Sequence, residues 1–349
     1  MRWTDRRRRH GRMISITFFV LLAAAIAAVG HAQVANPTPK PPPPPFPHYD
    51  HIFLIIEENH GFSQIIGNPA APNLNRLANQ FGLATQSFAV GDPSAPNYVA
   101  MLGGSTFGIA DDNAYYLHTV NKPSLMSQLE DAHLTWKAYM QGMPYAGFKG
   151  ICYPNRCNGV PDFDTLYNSK HNGIPYFKSI QTNAAEMAKM GPLGALARDL
   201  ASGNLPSFGY IVPDECRDMH GAPPYCVDSG DPGDESDNAL VGIADKLAGK
   251  VVDQITHASF WSRGNNAIVI TFDEGADGDT SGCCGTNPGN GQVTTVVVTS
   301  HGPRGLQDPT PYNHYSLLQT FQRAFGLGCL EQTCDTTNIV PMLPLFKVQ

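Results

Sequence analysis

The sequence lacks most of the short motifs by which hydrolases and nucleotide-binding proteins are recognised. It has no G-x-S-x-G elbow, which argues against a serine esterase or lipase. It has neither a phosphate-cradling G-x-x-x-x-G-K-[ST] loop nor an H-E-x-x-H helix. Its eight cysteines include no C-x-x-C pair, so their spacing does not suit a structural zinc site. Basic charge is scarce beyond the first 32 residues, which hold six arginines: there, 17 basic residues face 29 acidic ones, a formal charge of −12. Such a surface repels nucleic acid and anionic membranes, and a phosphate-handling site on it needs local positive charge, which a metal ion supplies. Internal repeats and low-complexity stretches of domain size are also absent.

What is present starts with an arginine-rich N-terminus, an apolar run from Ile14 to Val29, and small residues at Gly30 and Ala32. This reads as a signal peptide over residues 1–32 and an exported protein, secreted or periplasmic. The run is shorter than the ~20 residues a spanning helix needs, so stable membrane insertion is not expected after cleavage. Residues 33–47 are a proline-rich spacer that stands extended. The remaining residues, 48–349, are enough for one large core. The cysteines fall in close pairs, which in an exported protein predicts disulfides 152 with 157, 216 with 226 and 329 with 334. Cys283 and Cys284 form either a vicinal disulfide or two free thiols.

From His51 the pattern alternates between apolar runs and amphipathic stretches. HIFLIIEEN, GLATQSFAV, TWKAYMQ, SFGYIVPD, NAIVITFDEG and QVTTVVVTS read as strands. APNLNRLANQF, the stretch from Ser94, SLMSQLEDA, LGALARDLAS, the long NALVGIADKLAGKVVDQITHASFW and HYSLLQTFQRAFG read as helices. The alternation predicts an α/β domain with a largely parallel central sheet.

In such sheets ligands bind beyond the carboxyl ends of the strands. There stand Glu57, Glu58 and Asn59, then Asp92 and Ser94, Asp214, Asp218 and His220, and Asp273 with Glu274; His314 opens the last helix. Carboxylates, an amide and imidazoles together describe a divalent-metal site, with oxygen donors favouring magnesium, calcium or manganese and histidine favouring zinc or iron. Taken singly, each is explained as well by a helix cap or a solvated turn. Ser94, held between Pro93 and Pro96 at a helix start, is either a plain capping residue or a nucleophile whose hydroxyl a metal deprotonates.

The stretches LIIEENHGFSQIIGNPAAPNLNRLA, DPSAPNYVAMLGG, GYIVPDECRDMH, VITFDEG and YNHYSLLQTFQRAFGL, in this order, resemble the phosphoesterase family of bacterial acid phosphatases and phospholipases C, within the alkaline-phosphatase-like superfamily. The resemblance spans His51 to Leu327 and implies a three-layer sandwich with helices on both faces of the sheet. It implies Ser94 as nucleophile and Glu58, Asn59, Ser94, Asp218, Asp273 and Glu274 as metal ligands, Asp218 within a D-x-H element. Asn59 and Asn97 are implied to contact the phosphate, and His220 or His314 to protonate the leaving group or to complete a second metal site. The implied reaction is hydrolysis of a phosphoester through a phosphoserine. A phosphomonoester is the expected substrate, small and soluble because the chain has no β-rich C-terminal module and no basic amphipathic segment. The alternatives are a phospholipase C-type diesterase, a serine esterase, and a non-catalytic binding protein.

Overall fold

The first apolar run forms strand β1 (His51–Glu57), and every residue from Ile52 onward is buried because both faces of the strand are covered. The computed structural model describes residues 45–160, 165–227 and 233–348; the expected signal peptide and most of the spacer lie outside them. The other strands are β2 (Gly82–Phe88), β3 (Trp136–Met140), β4 (Cys152–Tyr153), β5 (Tyr167–Asn168), β6 (Met190–Pro192), β7 (Phe208–Val212), β8 (Asn266–Phe272), β9 (Gln292–Thr299), β10 (Leu306–Asp308) and β11 (Tyr312–Asn313). The central sheet runs β10-β2-β9-β8-β1-β7-β3-β6, with β11 extending β2, while β4 and β5 form a separate hairpin. All pairings in the central sheet are parallel except those of β9, which is antiparallel to both β8 and β2. The carboxyl ends of β1, β2, β7, β8 and β11 therefore share one edge, as expected for an α/β domain.

The alternation along β1 divides the core. Ile52, Leu54 and Ile56 pack with the Ser94–Gly103 and His314–Ala324 helices, whereas Phe53 and Ile55 pack with the Pro72–Gln80 and Glu235–Thr256 helices. Each such side chain, fully buried, contributes about 1.5–3 kcal/mol. Two helical layers over a sheet make the three-layer arrangement. Polar caps tie the layers together: Asp245 of the long helix accepts hydrogen bonds from the backbone of Asn73 (3.1 Å) and Leu74 (2.7 Å), at the start of the Pro72–Gln80 helix. The strands missed by the alternation pattern, β4, β5, β6, β10 and β11, are two or three residues long, too short to show a period.

Four disulfides link Cys152 to Cys157, Cys216 to Cys226, Cys283 to Cys284, and Cys329 to Cys334. The three expected pairings are present, and the adjacent pair is vicinal. Among the described residues, no helix is long and apolar enough to cross a membrane.

The Ser94–Gly103 helix rests against the segment around Gly173, where a β-carbon would lie 2.5 Å from the Tyr98 carbonyl oxygen. Backbone cannot yield cheaply there, so Gly173→Ala is expected to destabilise the protein by about 1–3 kcal/mol, read as a lower urea midpoint with unchanged slope.

Candidate active site

The shared sheet edge gathers acidic side chains from four elements. Glu58 directly follows β1, with Asn59 next to it in a left-handed backbone conformation (φ 49°) that asparagine tolerates well. Ser94 is the first residue of its helix; Pro93 occupies the cap position. Its hydroxyl therefore does not cap the helix but points at carboxylates, 3.2 Å from Glu58 Oε2 and 3.4 Å from Glu274 Oε1. Glu58 also accepts a 2.6 Å hydrogen bond from the Tyr98 hydroxyl, one helical turn beyond Ser94. Asp273 and Glu274 follow β8; Asp273 Oδ1 accepts from the backbone of Glu274 (2.7 Å) and Asn59 (3.3 Å), and Glu274 Oε2 accepts from Asn290 (2.6 Å).

Asn97 lies in the first turn of the Ser94 helix. Its carbonyl oxygen accepts from the backbone of Val90 and Gly91, and its amide donates to the Gly91 carbonyl at 2.6 Å. Both ends of the amide are engaged in bracing the loop that delivers Ser94. The helix start is similarly occupied, since the Ala95 amide donates to Asp112 Oδ1 at 2.9 Å.

Three histidines and a lysine complete the cluster. His171, which follows no long strand and so is not among the strand-end candidates, places Nε2 3.1 Å from Glu58 Oε2 and Nδ1 2.8 Å from Glu215 Oε1, with Asp218 Oδ2 at 3.4 Å. Its neighbour Lys170 is buried and reaches His220 Nε2 (3.1 Å) and Asp112 (3.4 Å). His220 turns Nδ1 towards the Gly221 carbonyl (3.0 Å), which makes Nε2 the acceptor for Lys170. His314 donates from Nε2 to the Asp273 carbonyl at 2.5 Å. Burial then holds its imidazole down at about 4, so it is neutral at physiological pH. Of the two histidines expected to protonate a leaving group, His314 carries no spare proton, and its free Nδ1 suits a metal.

Glu57 and Asp214 stand apart from this cluster. Glu57 turns to the opposite face of the sheet, fully buried and with neither carboxyl oxygen hydrogen-bonded, and burial with the nearby Asp218 charge pushes it well up. Asp214 pairs with Arg217 at 2.8 Å.

The electrostatics are unbalanced. Burial opposes ionisation of Glu58, but the His171 imidazolium outweighs it and holds the carboxyl at about 2. Burial and the charge on Glu58 push Glu274 up to about 8 and Asp273 well above its ordinary range. Asp273 Oδ2 and Asn59 Oδ1 are buried and have no hydrogen-bond donor. Buried acceptors without donors, several of them carboxylates, match the donor chemistry of a divalent cation. Ligand atoms of Glu58, His171 and His220 lie within 4.8 Å of one another, as do those of His171, Glu215 and Asp218. The residues present therefore fit a metal ion.

Among known proteins, the chain matches the Phosphoesterase family over residues 68–328. It is 27% identical to an acid phosphatase of Aspergillus fumigatus over 325 residues, covering 92% of this chain but 64% of that protein, less than two thirds of its length. It is 26% identical to the phosphatidylinositol-3-phosphatase of Mycobacterium tuberculosis over 335 residues, covering 96% of this chain and 93% of that one. A protein of the alkaline phosphatase superfamily from Vibrio parahaemolyticus shares the fold with a TM-score of 0.51 at 15% identity, over 80% of this chain and 67% of that one. The phosphonate monoester hydrolase of Agrobacterium radiobacter does so with a TM-score of 0.52 at 12% identity, over 85% and 77%. The α/β three-layer fold is therefore the one the sequence implied.

The raised Glu274 has a consequence for stability. The folded protein without metal holds this proton more tightly than the unfolded chain, whose carboxyl titrates near 4.5, so the associated stability is complete below 4.5 and lost as pH rises through about 8. Chelator-treated protein is expected to melt at a lower temperature at about pH 9 than at about pH 6, and divalent metal should remove most of that difference. Differential scanning calorimetry at both pH values checks this.

Proposed function

The chain belongs to the Phosphoesterase family, and from that membership we propose that it is an exported, metal-dependent phosphatase that hydrolyses phosphomonoesters through a phosphoserine at Ser94. The observation that carries this reading is the Ser94 hydroxyl, fixed by its helix between Glu58 and Glu274. Relatives named acid phosphatase and phosphatidylinositol-3-phosphatase support the reaction class. In this reading residues 1–32 direct export, residues 33–47 are a spacer, and residues 48–349 are the catalytic domain; the oxidised cysteine pairs suit an oxidising compartment.

Glu58, Asp273, Glu274, Asn59 and the Ser94 oxygen would hold a divalent cation, with Asp218, His171 and His314 available to the same or a second ion. Bound there, the cation supplies Lewis acidity that lowers the hydroxyl pKa and offsets charge on the phosphoryl group.

The chain's own groups do the rest. The Ser94 hydroxyl releases its proton to solvent water and its oxygen attacks phosphorus in line, forming an ester bond as the bond to the leaving oxygen breaks. Lys170 stands against His220 Nε2 and supplies the proton that the departing alkoxide takes. Lys170 is held protonated because the neighbouring Glu215, Asp112 and Glu58 charges outweigh its burial. Water then cleaves the serine ester and releases phosphate. The Lys170 ammonium also favours the doubly charged phosphoryl group of a monoester over the singly charged group of a diester.

Ser94→Ala is expected to fold normally and to lose roughly 10³-fold or more in kcat, since a methyl group cannot form the ester. Wild-type turnover in that variant, measured as phosphate release, would remove Ser94 from the mechanism. The kcat/KM for p-nitrophenyl phosphate is expected to exceed that for bis(p-nitrophenyl) phosphate by roughly tenfold or more. A preference for the diester would place the chain with the phospholipases C.

A further inference from the structure

His60 takes no part in the reaction proposed above, yet it is buried (2% exposed) and hydrogen-bonded at both ring nitrogens. Nδ1 stands 2.9 Å from the Glu58 carbonyl oxygen, which can only accept, so the ring donates there. Nε2 lies 2.8 Å from Oδ1 of Asp237, a residue 177 positions away in the chain. Asp237 belongs to the first turn of the Glu235–Thr256 helix and is itself held in place. Its Oδ2 accepts from the Gly233 amide at 2.7 Å, and its own amide donates to the capping Asp234 Oδ1 at 2.8 Å. A ring anchored at a helix start thus folds back over Asn59 to reach the residue before it.

The segment held in this way carries two of the residues expected to bind metal. Asn59 has a left-handed backbone (φ 49°), a conformation that costs about 1–3 kcal/mol in a non-glycine residue and persists where the surroundings impose it. Three contacts impose it here. The Glu58 amide donates to the Asp218 carbonyl at 2.7 Å, the Asn59 amide donates to Asp273 Oδ1 at 3.3 Å, and His60 donates to the Glu58 carbonyl. The first two partners, Asp218 and Asp273, are residues of the site. Among the three, the His60 contact alone ties the turn to the fold outside it. The carbonyl it takes belongs to the peptide joining Glu58 to Asn59, so this bond sets the plane on which both side chains are mounted.

We propose that His60 is a positioning residue for the metal centre: its ring, oriented by Asp237, fixes the Glu58–Asn59 peptide so that the Glu58 carboxylate and the Asn59 side-chain oxygen face one cation. The proposal rests on the metal-dependent phosphatase reading above. Groups that orient ligands without touching the metal commonly govern its affinity, and His60 does so through the backbone. If the same two bonds served only to dock the long helix onto the end of β1, their loss would lower stability and leave metal affinity unchanged.

The test compares the full chain with His60→Asn and His60→Gln. The asparagine amide nitrogen takes the place of Nδ1 and the glutamine amide nitrogen that of Nε2. The first variant therefore keeps the bond to the Glu58 carbonyl and loses Asp237, and the second does the reverse. Mn²⁺ is titrated calorimetrically into chelator-treated protein, and the melting of each metal-free protein is recorded. The Kd for Mn²⁺ is expected to rise roughly 10–100-fold in His60→Gln and to stay within about threefold of wild type in His60→Asn, with similar losses of metal-free stability in both. Wild-type affinity in His60→Gln, equal weakening in both variants, or a wild type that binds no Mn²⁺ would each overturn the proposal. Hydrogen exchange of the segment around Asn59 in metal-free wild type needs no substitution. Protection there is expected, and exchange at the unfolded rate would show that nothing holds the turn before metal binds, overturning the proposal. A chain that binds Mn²⁺ with the expected order of affinities but releases phosphate from no phosphoester would overturn the phosphatase reading and leave the role of His60 standing.

Discussion

The site is organised by uncompensated negative charge. Glu58, Asp218, Glu215, Asp273 and Glu274 are brought to one sheet edge and buried, where each ionised carboxylate costs several kcal/mol unless countered. Lys170 and His171 counter part of it. The remainder appears as Asp273 and Glu274 held protonated in the absence of metal and as buried acceptors without donors. A fold tolerates such an arrangement when a cation completes it, and the same deficit explains why Ser94 lies among carboxylates instead of capping its helix. In the proposed reaction, nucleophile activation and the electrostatic demand for metal are one feature of the site.

The sheet delivers this arrangement through its connectivity. Parallel pairing brings the ends of β1, β7 and β8 to a common edge, and β11, only two residues long, sets His314 beside Asp273. The antiparallel β9 starts at that edge, so the loop between β8 and β9 returns over the site and Asn290 reaches Glu274. Asn97 and Asp112 then fix the loop and helix that carry Ser94. The groups that touch the hydroxyl depend on braces that do not.

Much of this was legible in the sequence, and the exceptions have physical causes. Continuous apolar runs and helical spacing revealed the long strands and helices, since burial on both faces of a sheet imposes those patterns. Edge pieces such as β10 and β11 exist only through pairing with β2 and leave no periodic trace. Glu58, Ser94, Asp218, His220, Asp273 and Glu274, which the structure brings together, stand out in the sequence because they follow long strands or sit at a helix start. His171 was not, because the two-residue β5 and a short 3₁₀ turn precede it; the buried basic pair in NSKHNGIPYF was the available signal. Glu57 and Glu58 are adjacent and alike in sequence, and only the alternation of the strand sends one to the core and the other to the site.

The central claim is that the Ser94 oxygen becomes covalently bonded to phosphorus during turnover. Rapid acid quench of the metal-supplied protein during hydrolysis of p-nitrophenyl phosphate, followed by peptide mass spectrometry, tests it directly. The account predicts a phosphoryl group on the peptide spanning Ser94, at that residue and absent from enzyme quenched without substrate. Steady turnover with that peptide unmodified at every quench time, or with the phosphoryl group on another residue, would contradict it.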